Sequence, residues 1–315
     1  MMKRTLNATL ALSLLLLFAF STTTFAAEQL TVAADSSSGT YSKALGEIVG
    51  VCGDENLQIK AAAGVTGGAV GNLDALFNNQ ADAAFLHSDV YFANAQADPA
   101  YNTLKTLVAL WKEPIHILAL KQSKTPKPKK YMMNDGMYTF TDLADLRGQK
   151  VGAAGGGVYT ARILQGQGEG GFTVVPFDDG KKLLDALTSG SIAAAIYVGA
   201  APLPNIEKLD KNTYKLLPIS EKIGSKVTGV YRPATINYPG LTNGPVKTLA
   251  PMATLLTRKF STEKKIAAQR KFRECFQSKL GELQDTGSRQ WQQVDKSDQG
   301  VLPWYEIPGS KSQTK

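Results

Sequence analysis

The stretch LDALFNNQADAAF, residues 73–85, returns in the second half of the chain as LDALTSGSIAAAI, residues 184–196. Each copy reads as a helix end, a turn and a short apolar strand. Further apolar runs lie upstream of each copy, at Leu30 to Ala34 and Leu57 to Ala62, then at Lys150 to Ala153 and Phe172 to Val175. Helical patterns fill the gaps: Tyr41 to Val51, Ala69 to Asn79 and Val90 to Ala97 in the first half, Tyr159 to Gln165 and Lys181 to Thr188 in the second. Strand–helix alternation of this kind is the pattern of a parallel α/β layer, and its recurrence predicts two lobes of similar build.

Between the copies, Leu104 to Leu110 and Ile115 to Leu120 are β-like runs suited to crossing from one lobe to the other. After Tyr197 come a strand from Tyr214 to Ile219, a long helical pattern from Val246 to Lys259 and another from Glu263 to Leu283. These late elements are expected to return to the first lobe. The lobes are then 27–118 with 220–315, and 119–219, with a ligand cleft between them.

Residues 1–26 carry a basic start at Lys3 and Arg4, the apolar run ALSLLLLFAF, and Thr24 and Ala26 at the −3 and −1 positions of a cut. They read as a secretory signal, which places the mature chain in the periplasm. No Cys near the cut offers a lipid anchor. The formal charge of +8 loses two units with Lys3 and Arg4, and the remaining basic residues are not interleaved with aromatics, so nucleic acid is not an expected partner. The two cysteines, Cys52 and Cys275, lie in the exported part. They are either a bridge, worth ~4–5 kcal/mol for so long a loop, or two buried thiols; spacing alone leaves both open.

The loops after the strands carry the chemistry. In open α/β sheets a ligand sits beyond the carboxyl ends of the strands, at helix N-termini whose N–H groups are unpaired. Ser37, Ser38, Gly39, Thr40 and Tyr41 stand at such a junction, as do Thr66, Gly67 and Gly68, then Ser88 and Asp89, and, in the second lobe, Gly157, Tyr159 and Thr160. Simple helix capping explains any one of them. Four such loops facing one cleft suit a small anion, most simply a carboxylate. Tyr41, Tyr159 and Tyr197 are candidates to pack on its carbon skeleton and donate hydroxyls, and Arg162 either reaches it or faces solvent.

Other patterns carry less. Gly166 to Gly171 matches GxGxxG but follows a helix and precedes a strand, the reverse of a dinucleotide loop, and reads as a turn. No HExxH, P-loop or GxSxG occurs, so no metal, cofactor or catalytic residue is assigned. His116 sits in an apolar strand and reads as a packed core residue. His87 beside Ser88 and Asp89 invites a catalytic reading, but a strand sends neighbours to opposite faces. The Lys-rich run KQSKTPKPKK, 121–130, reads as a solvated loop.

Five segments, in order, carry a resemblance: SSSGTY (36–41), GVTGGAVGNLDALFNNQADAAFLHSDV (64–90), WKEPIHILAL (111–120), FTDLADLRGQKVGAAGGGVYT (140–160) and GSIAAAIYVGAAP (190–202). The chain resembles the TAXI-type solute receptors of TRAP transporters. That resemblance implies the two-lobed periplasmic-binding-protein type II-like fold, closure on a small organic anion of the glutamate, glutamine or 2-oxoglutarate class, and delivery to a TRAP-type membrane permease by a monomer without enzymatic activity. The family's GGxGGxYY is met by Gly39 and Tyr41 with serines for glycines, its TxGSxxNL by Thr66, Gly68, Asn72 and Leu73 with Ala69 for serine, and its QSD by His87-Ser88-Asp89. Its GxxGSGT loop is Gly152 to Thr160, with Gly157, Val158 and Tyr159 in place of the Ser-Gly core. Two other expectations stand beside this one: a periplasmic sensor or scaffold receptor of the same fold, and an exported hydrolase with His87 as base.

Overall fold

The structure, a computed structural model, describes residues 27–35, 39–125, 138–166 and 171–310. The expected signal at 1–26, Ser36, Ser37 and Ser38, the second half of the Lys-rich run (126–130) and the centre of the GxGxxG match (167–170) lie outside the described residues.

Short apolar runs closed by Gly, Asn and Asp become strands. β1 (Glu28–Ala33), β2 (Leu57–Ala61), β3 (Ala83–His87) and β4 (Lys105–Lys112) build one sheet. β5 (Ile115–Leu120), β6 (Lys150–Ala154), β7 (Thr173–Phe177), β8 (Ala194–Val198) and β9 (Tyr214–Leu217) build a second. A hairpin, β10 (Arg232–Ile236) with β11 (Val246–Ala250), follows, and β12 (Met252–Thr257) returns to the first sheet. The main helices are α1 (Thr40–Cys52), α2 (Gly68–Phe77), α3 (Ser88–Ala97), α4 (Gly157–Gly166), α5 (Gly180–Ser189), the short α6 (Pro204–Glu207) and α7 (Glu221–Lys226), and the long α8 (Glu263–Thr286).

The internal repeat holds at the level of topology. The strand orders are β2-β1-β3-β12-β4 and β7-β6-β8-β5-β9. In each, the first three strands are parallel, and the fourth, β12 or β5, runs antiparallel to both neighbours. Equivalent central pairs even share a register pattern, Val32 opposite Ala83 and Val151 opposite Ala194. This is the two-lobed α/β architecture that the repeat predicts.

Chain crossings between the sheets fall at Glu113–Pro114 and at Pro251, rather than at 118/119 and 219/220, where sequence alone set the lobe limits. The shift has a packing cause. Ile115, Ile117 and Ala119 on one face of β5, and Leu118 and Leu120 on the other, enter the two cores flanking the second sheet, as alternation along a strand requires. Ile219, Ile223, Tyr231 and Leu249 join the first of these cores, and Ile236, Tyr238 and Leu241 the second. So residues through β11 are held by the second lobe.

The helical pattern expected over Val246 to Lys259 is instead β11, Pro251 and β12. A mid-segment proline removes a helical hydrogen bond and clashes with the preceding turn. All six residues of β12 are buried, so the strand lacks the alternation that marks a half-exposed one, and its continuous apolar run resembles a buried helix.

Cys52 at the end of α1 is joined to Cys275 in α8, with Cα atoms 5.8 Å apart. His116 is fully buried in β5, its Nε2 2.7 Å from the Tyr238 hydroxyl, which is the packed role its sequence context implied. Burial drives its pKa down to about 4. The unfolded chain takes up a proton there near pH 6.5, so the stability contributed by neutral His116 is complete above that pH and lost as the pH falls toward 4. The expected loss is about 3 kcal/mol over this window. Denaturant unfolding at pH 7 and 4.5 should show an acid loss in the native protein that is smaller by about 2 kcal/mol in His116→Gln, the share of the window crossed by pH 4.5.

Candidate functional site

The two sheets present their strand ends to one another across a cleft of about 290 Å³. Helix starts from both lobes surround it: Gly39 and Thr40 at α1, Gly68 and Ala69 at α2, Gly156 and Gly157 at α4, and Gly180 at α5. Among the described residues no side chain caps the first turn of α1 or α2, so their leading N–H groups and positive dipole ends face the space a ligand would fill. α5 differs, since Asp179 accepts from the Lys182 N–H at 2.8 Å.

The loop glycines follow from the geometry. Gly67 and Gly68 adopt φ of 92° and 64°, which L side chains rarely do. A Cβ on Gly71 would lie 1.7 Å from the Thr66 carbonyl, so this helix can start only where a glycine lets the preceding loop fold over it. Asp35, another lining residue, holds φ 66°. Its N–H donates to Asn72 Oδ1 at 2.8 Å, and Asn72 Nδ2 donates to Phe85 O at 2.8 Å. Asn72 thereby pins the end of β1 to β3 and keeps Asp35 in a conformation that Asp tolerates at modest cost.

Buried ionisable groups form the floor. His87 at the end of β3 and Glu113 at the first crossing both line the cleft. His87 Nδ1 makes a short contact with Asp89 Oδ1. Asp89 Oδ2 accepts from the Thr160 hydroxyl at 2.6 Å and from the Tyr231 hydroxyl at 2.9 Å. Burial works against the imidazolium, but Asp89, with Glu113 behind it, outweighs burial and holds His87 above its usual value. Burial likewise opposes ionisation of Asp89, and His87, Thr160 and Tyr231 overcome it and lower the carboxyl. Burial pushes Glu113 up, against the pull of His87 and of hydrogen bonds from Tyr41 (2.8 Å) and Trp111 (3.3 Å).

Asp89 belongs to the first lobe, and Thr160 and Tyr231 are carried by the second, so this carboxylate latches the lobes together. Its closeness is matched at Gly156, where a Cβ would stand 2.1 Å from His87 Nε2. Thr160→Val removes one bond to a buried charge while Tyr231 keeps Asp89 paired. We expect ligand binding weakened about tenfold, near the low end of the ~1.5–3 kcal/mol of such bonds, measured by calorimetric titration.

Of the residues singled out from sequence, Gly39, Thr40, Tyr41, Gly68, Gly157 and Tyr197 line the cleft. Thr66 and Gly67 are exposed beside it, and Ser88, Asp89, Tyr159 and Thr160 lie outside its lining. Ser88 Oγ accepts from the Met252 N–H at 3.0 Å, beside the second crossing, and donates to Val230 O at 3.3 Å, just before β10, so its role is a structural tie. Tyr159 packs against the first lobe's core, and Arg162 is exposed.

The hydroxyls of Tyr41 and Tyr197 are already engaged, contrary to the expectation that they are offered to a ligand. Tyr41 donates to Glu113 while its ring stacks on Phe85, and Tyr197 donates to Gly180 O at 3.1 Å. Burial raises both phenols, Tyr197 to about 12. Glu113, Gly180 and Leu203 are lining residues that sequence reading did not single out, and Asp35 and Gly156, which belong to the loops it read, line the cleft as well. Glu113 had one visible signal, a lone acid between two apolar runs. Among the described residues no group of three or more His, Cys, Asp or Glu is placed to hold a metal ion.

The model of the NMT1-like family matches residues 32–267, from β1 into α8. No curated protein matches the chain. Among solved structures, the chain is similar to an amino acid ABC transporter substrate-binding protein from Streptococcus pneumoniae bound to L-arginine. The identity is 13%, covering 84% of this chain and 95% of that one, with a TM-score of 0.46. It is similar as well to a periplasmic binding protein of an arginine transport system from Legionella pneumophila, at 13% identity over 84% of this chain and 98% of that one, with a TM-score of 0.48.

Proposed function

The chain belongs to the NMT1-like family, and we propose that this member is a periplasmic solute-binding receptor that captures a small organic anion by closing its two lobes. The observation that carries the reading is the cleft itself: helix starts from both lobes converge on one space, and buried Asp89 of one wall is bonded to Thr160 and Tyr231 of the other. An anion docks on the first turns of α1 and α2, where N–H groups and dipoles favour it. The second lobe then brings Gly156, Gly157 and Gly180 over it, and Asp89 receives Thr160 and Tyr231. Closure by hinge motion needs few mobile residues, and the crossings at Glu113–Pro114 and Pro251 supply them.

The ligand belongs to the carboxylate class that glutamate, glutamine and 2-oxoglutarate represent. Asp35 and Glu113 on the same lining favour members that also carry an N–H donor, because a buried carboxyl facing a donor is satisfied and one facing a ketone is not. Delivery to a membrane permease follows from the receptor role; the order of the five segments supports a TRAP-type permease. Against the hydrolase reading, Ser88 Oγ is committed to the backbone groups of Met252 and Val230.

The test is to denature protein recovered from the periplasm and identify what it releases by mass spectrometry. A near-stoichiometric small carboxylate is the expected result. Recovery of a stoichiometric compound lacking any anionic group would refute the site chemistry.

A further inference from the structure

Beside the lobe crossings lies a second cavity, of about 610 Å³, that shares no lining residue with the cleft. Its size falls within the ~300–1,000 Å³ of small-molecule sites. Pro114, Ile219, Tyr231 and Leu249 make a buried apolar floor. Ser225, Thr228 and Thr235 put exposed hydroxyls at the rim. Two lysines stand there. Lys247 is paired with Glu221 at 2.7 Å, whereas Lys112 donates to Pro233 O at 3.2 Å and, among the described residues, has no carboxylate within ion-pair distance; Asp298, itself paired with Arg232, acts on it from farther away.

We propose that this cavity is a second binding site, for an amphipathic organic anion with an aromatic or branched aliphatic body, and that its occupancy is coupled to lobe closure through Tyr231. The floor takes the apolar body, and Lys112 takes the anionic group. An ammonium with no close carboxylate partner above an apolar surface selects that combination, since a neutral body leaves the cation without a contact partner and a purely polar anion gains nothing from the floor.

The coupling rests on where the walls lead. The Tyr231 ring is part of the floor, and its hydroxyl is one of the two bonds that latch Asp89. Lys112 belongs to the first lobe, and Ile219 and Leu249 pack in the second. Hinge motion therefore changes the distance between the group that holds the anion and the floor that holds its body. A ligand touching both fits one lobe arrangement better than the other, and any such difference in affinity shifts the population toward it.

The test is fluorescence titration of the native protein with 8-anilinonaphthalene-1-sulfonate and with its uncharged relative N-phenyl-1-naphthylamine. The sulfonate should bind saturably at one site, at least about tenfold more tightly than the neutral compound, a difference of about 1.4 kcal/mol. Thr228→Trp fills the cavity from an exposed rim position and should weaken the sulfonate at least tenfold; Lys112→Met should erase the preference for the anion. Unchanged sulfonate binding in Thr228→Trp overturns the site. Spin labels at Lys60→Cys and Lys181→Cys, exposed positions on opposite lobes, should report a changed separation on adding the sulfonate. That change should vanish in Tyr231→Phe; no change in the native background overturns the coupling. Neither arm uses a cleft ligand, so failure here leaves the cleft reading standing.

Discussion

Gly156→Leu abolishes ligand capture while both lobes stay folded. A Cβ alone would lie 2.1 Å from His87 Nε2 and 2.7 Å from Cε1. Such an overlap is relieved cheaply only if the opposing group can swing away. His87 cannot, because its other ring nitrogen is bound to Asp89, which Thr160 and Tyr231 hold in turn. The lobes must part instead, and a leucine holds them several ångströms from closure. One inserted methylene already costs ~1–3 kcal/mol in a packed site; four carbons should cost at least about 4 kcal/mol, a thousandfold in affinity. The contact lies between lobes and not within either core, so the unliganded melting temperature should stay within about 2 °C of the native value. Titration calorimetry and thermal unfolding check the two halves of this expectation. Affinity within tenfold of native would mean that capture does not require the closed arrangement.

Replacing Cys52 and Cys275 with serine has its effect on stability. The bridge closes a loop of sequence separation 223 and ties α1, in the opening part of the first lobe, to α8, in its returning part. A discontinuous lobe gains most from such a tie, because its halves are otherwise joined only through a chain excursion that includes the whole second lobe. The chain-entropy argument assigns about 4–5 kcal/mol to a loop of this length. The fold survives, since β12 still pairs with β3 and β4, and Phe272, Phe276 and Leu280 of α8 still reach the core. Denaturant unfolding should show the first lobe's transition moving to lower denaturant while the second lobe's stays in place. A shift below about 1 kcal/mol would show that packing already fixes α8 against α1 in the unfolded ensemble.

Much of the fold was legible because its signals are local. Ile115 to Leu120 is a strand with the limits its apolar run suggests, and the paired LDAL segments sit on the equivalent helices α2 and α5. What failed was the segment from Val246 to Lys259, where a strand buried on both faces has no alternation to read. The lobe limits failed for a related reason: whether residues 219–249 join one core or the other depends on contacts that no local pattern encodes.

The site divides the same way. Helix-start loops announce themselves through Gly, Ser and Thr, and Gly39, Thr40, Gly68 and Gly157 do line the cleft. Glu113 acquires its place by meeting Tyr41, 72 residues away, and Tyr231 by meeting Asp89 across 142. His87 was visible as a chemically able residue, but its neighbour Ser88 turns to the backbone of Met252 and Val230, which only the assembled fold reveals.

Thermal-shift titration of protein unfolded and refolded to remove any carried ligand decides whether the cleft captures a small carboxylate. Glutamate, glutamine and 2-oxoglutarate head a panel of small carboxylates. At least one of them should raise the melting temperature saturably, because a ligand that binds only the folded state must stabilise it, by about 2.7 kcal/mol at a hundredfold excess over Kd. This rise should be lost in Gly156→Leu. A flat response across the panel, or a rise that persists undiminished in Gly156→Leu, would contradict carboxylate capture in the cleft.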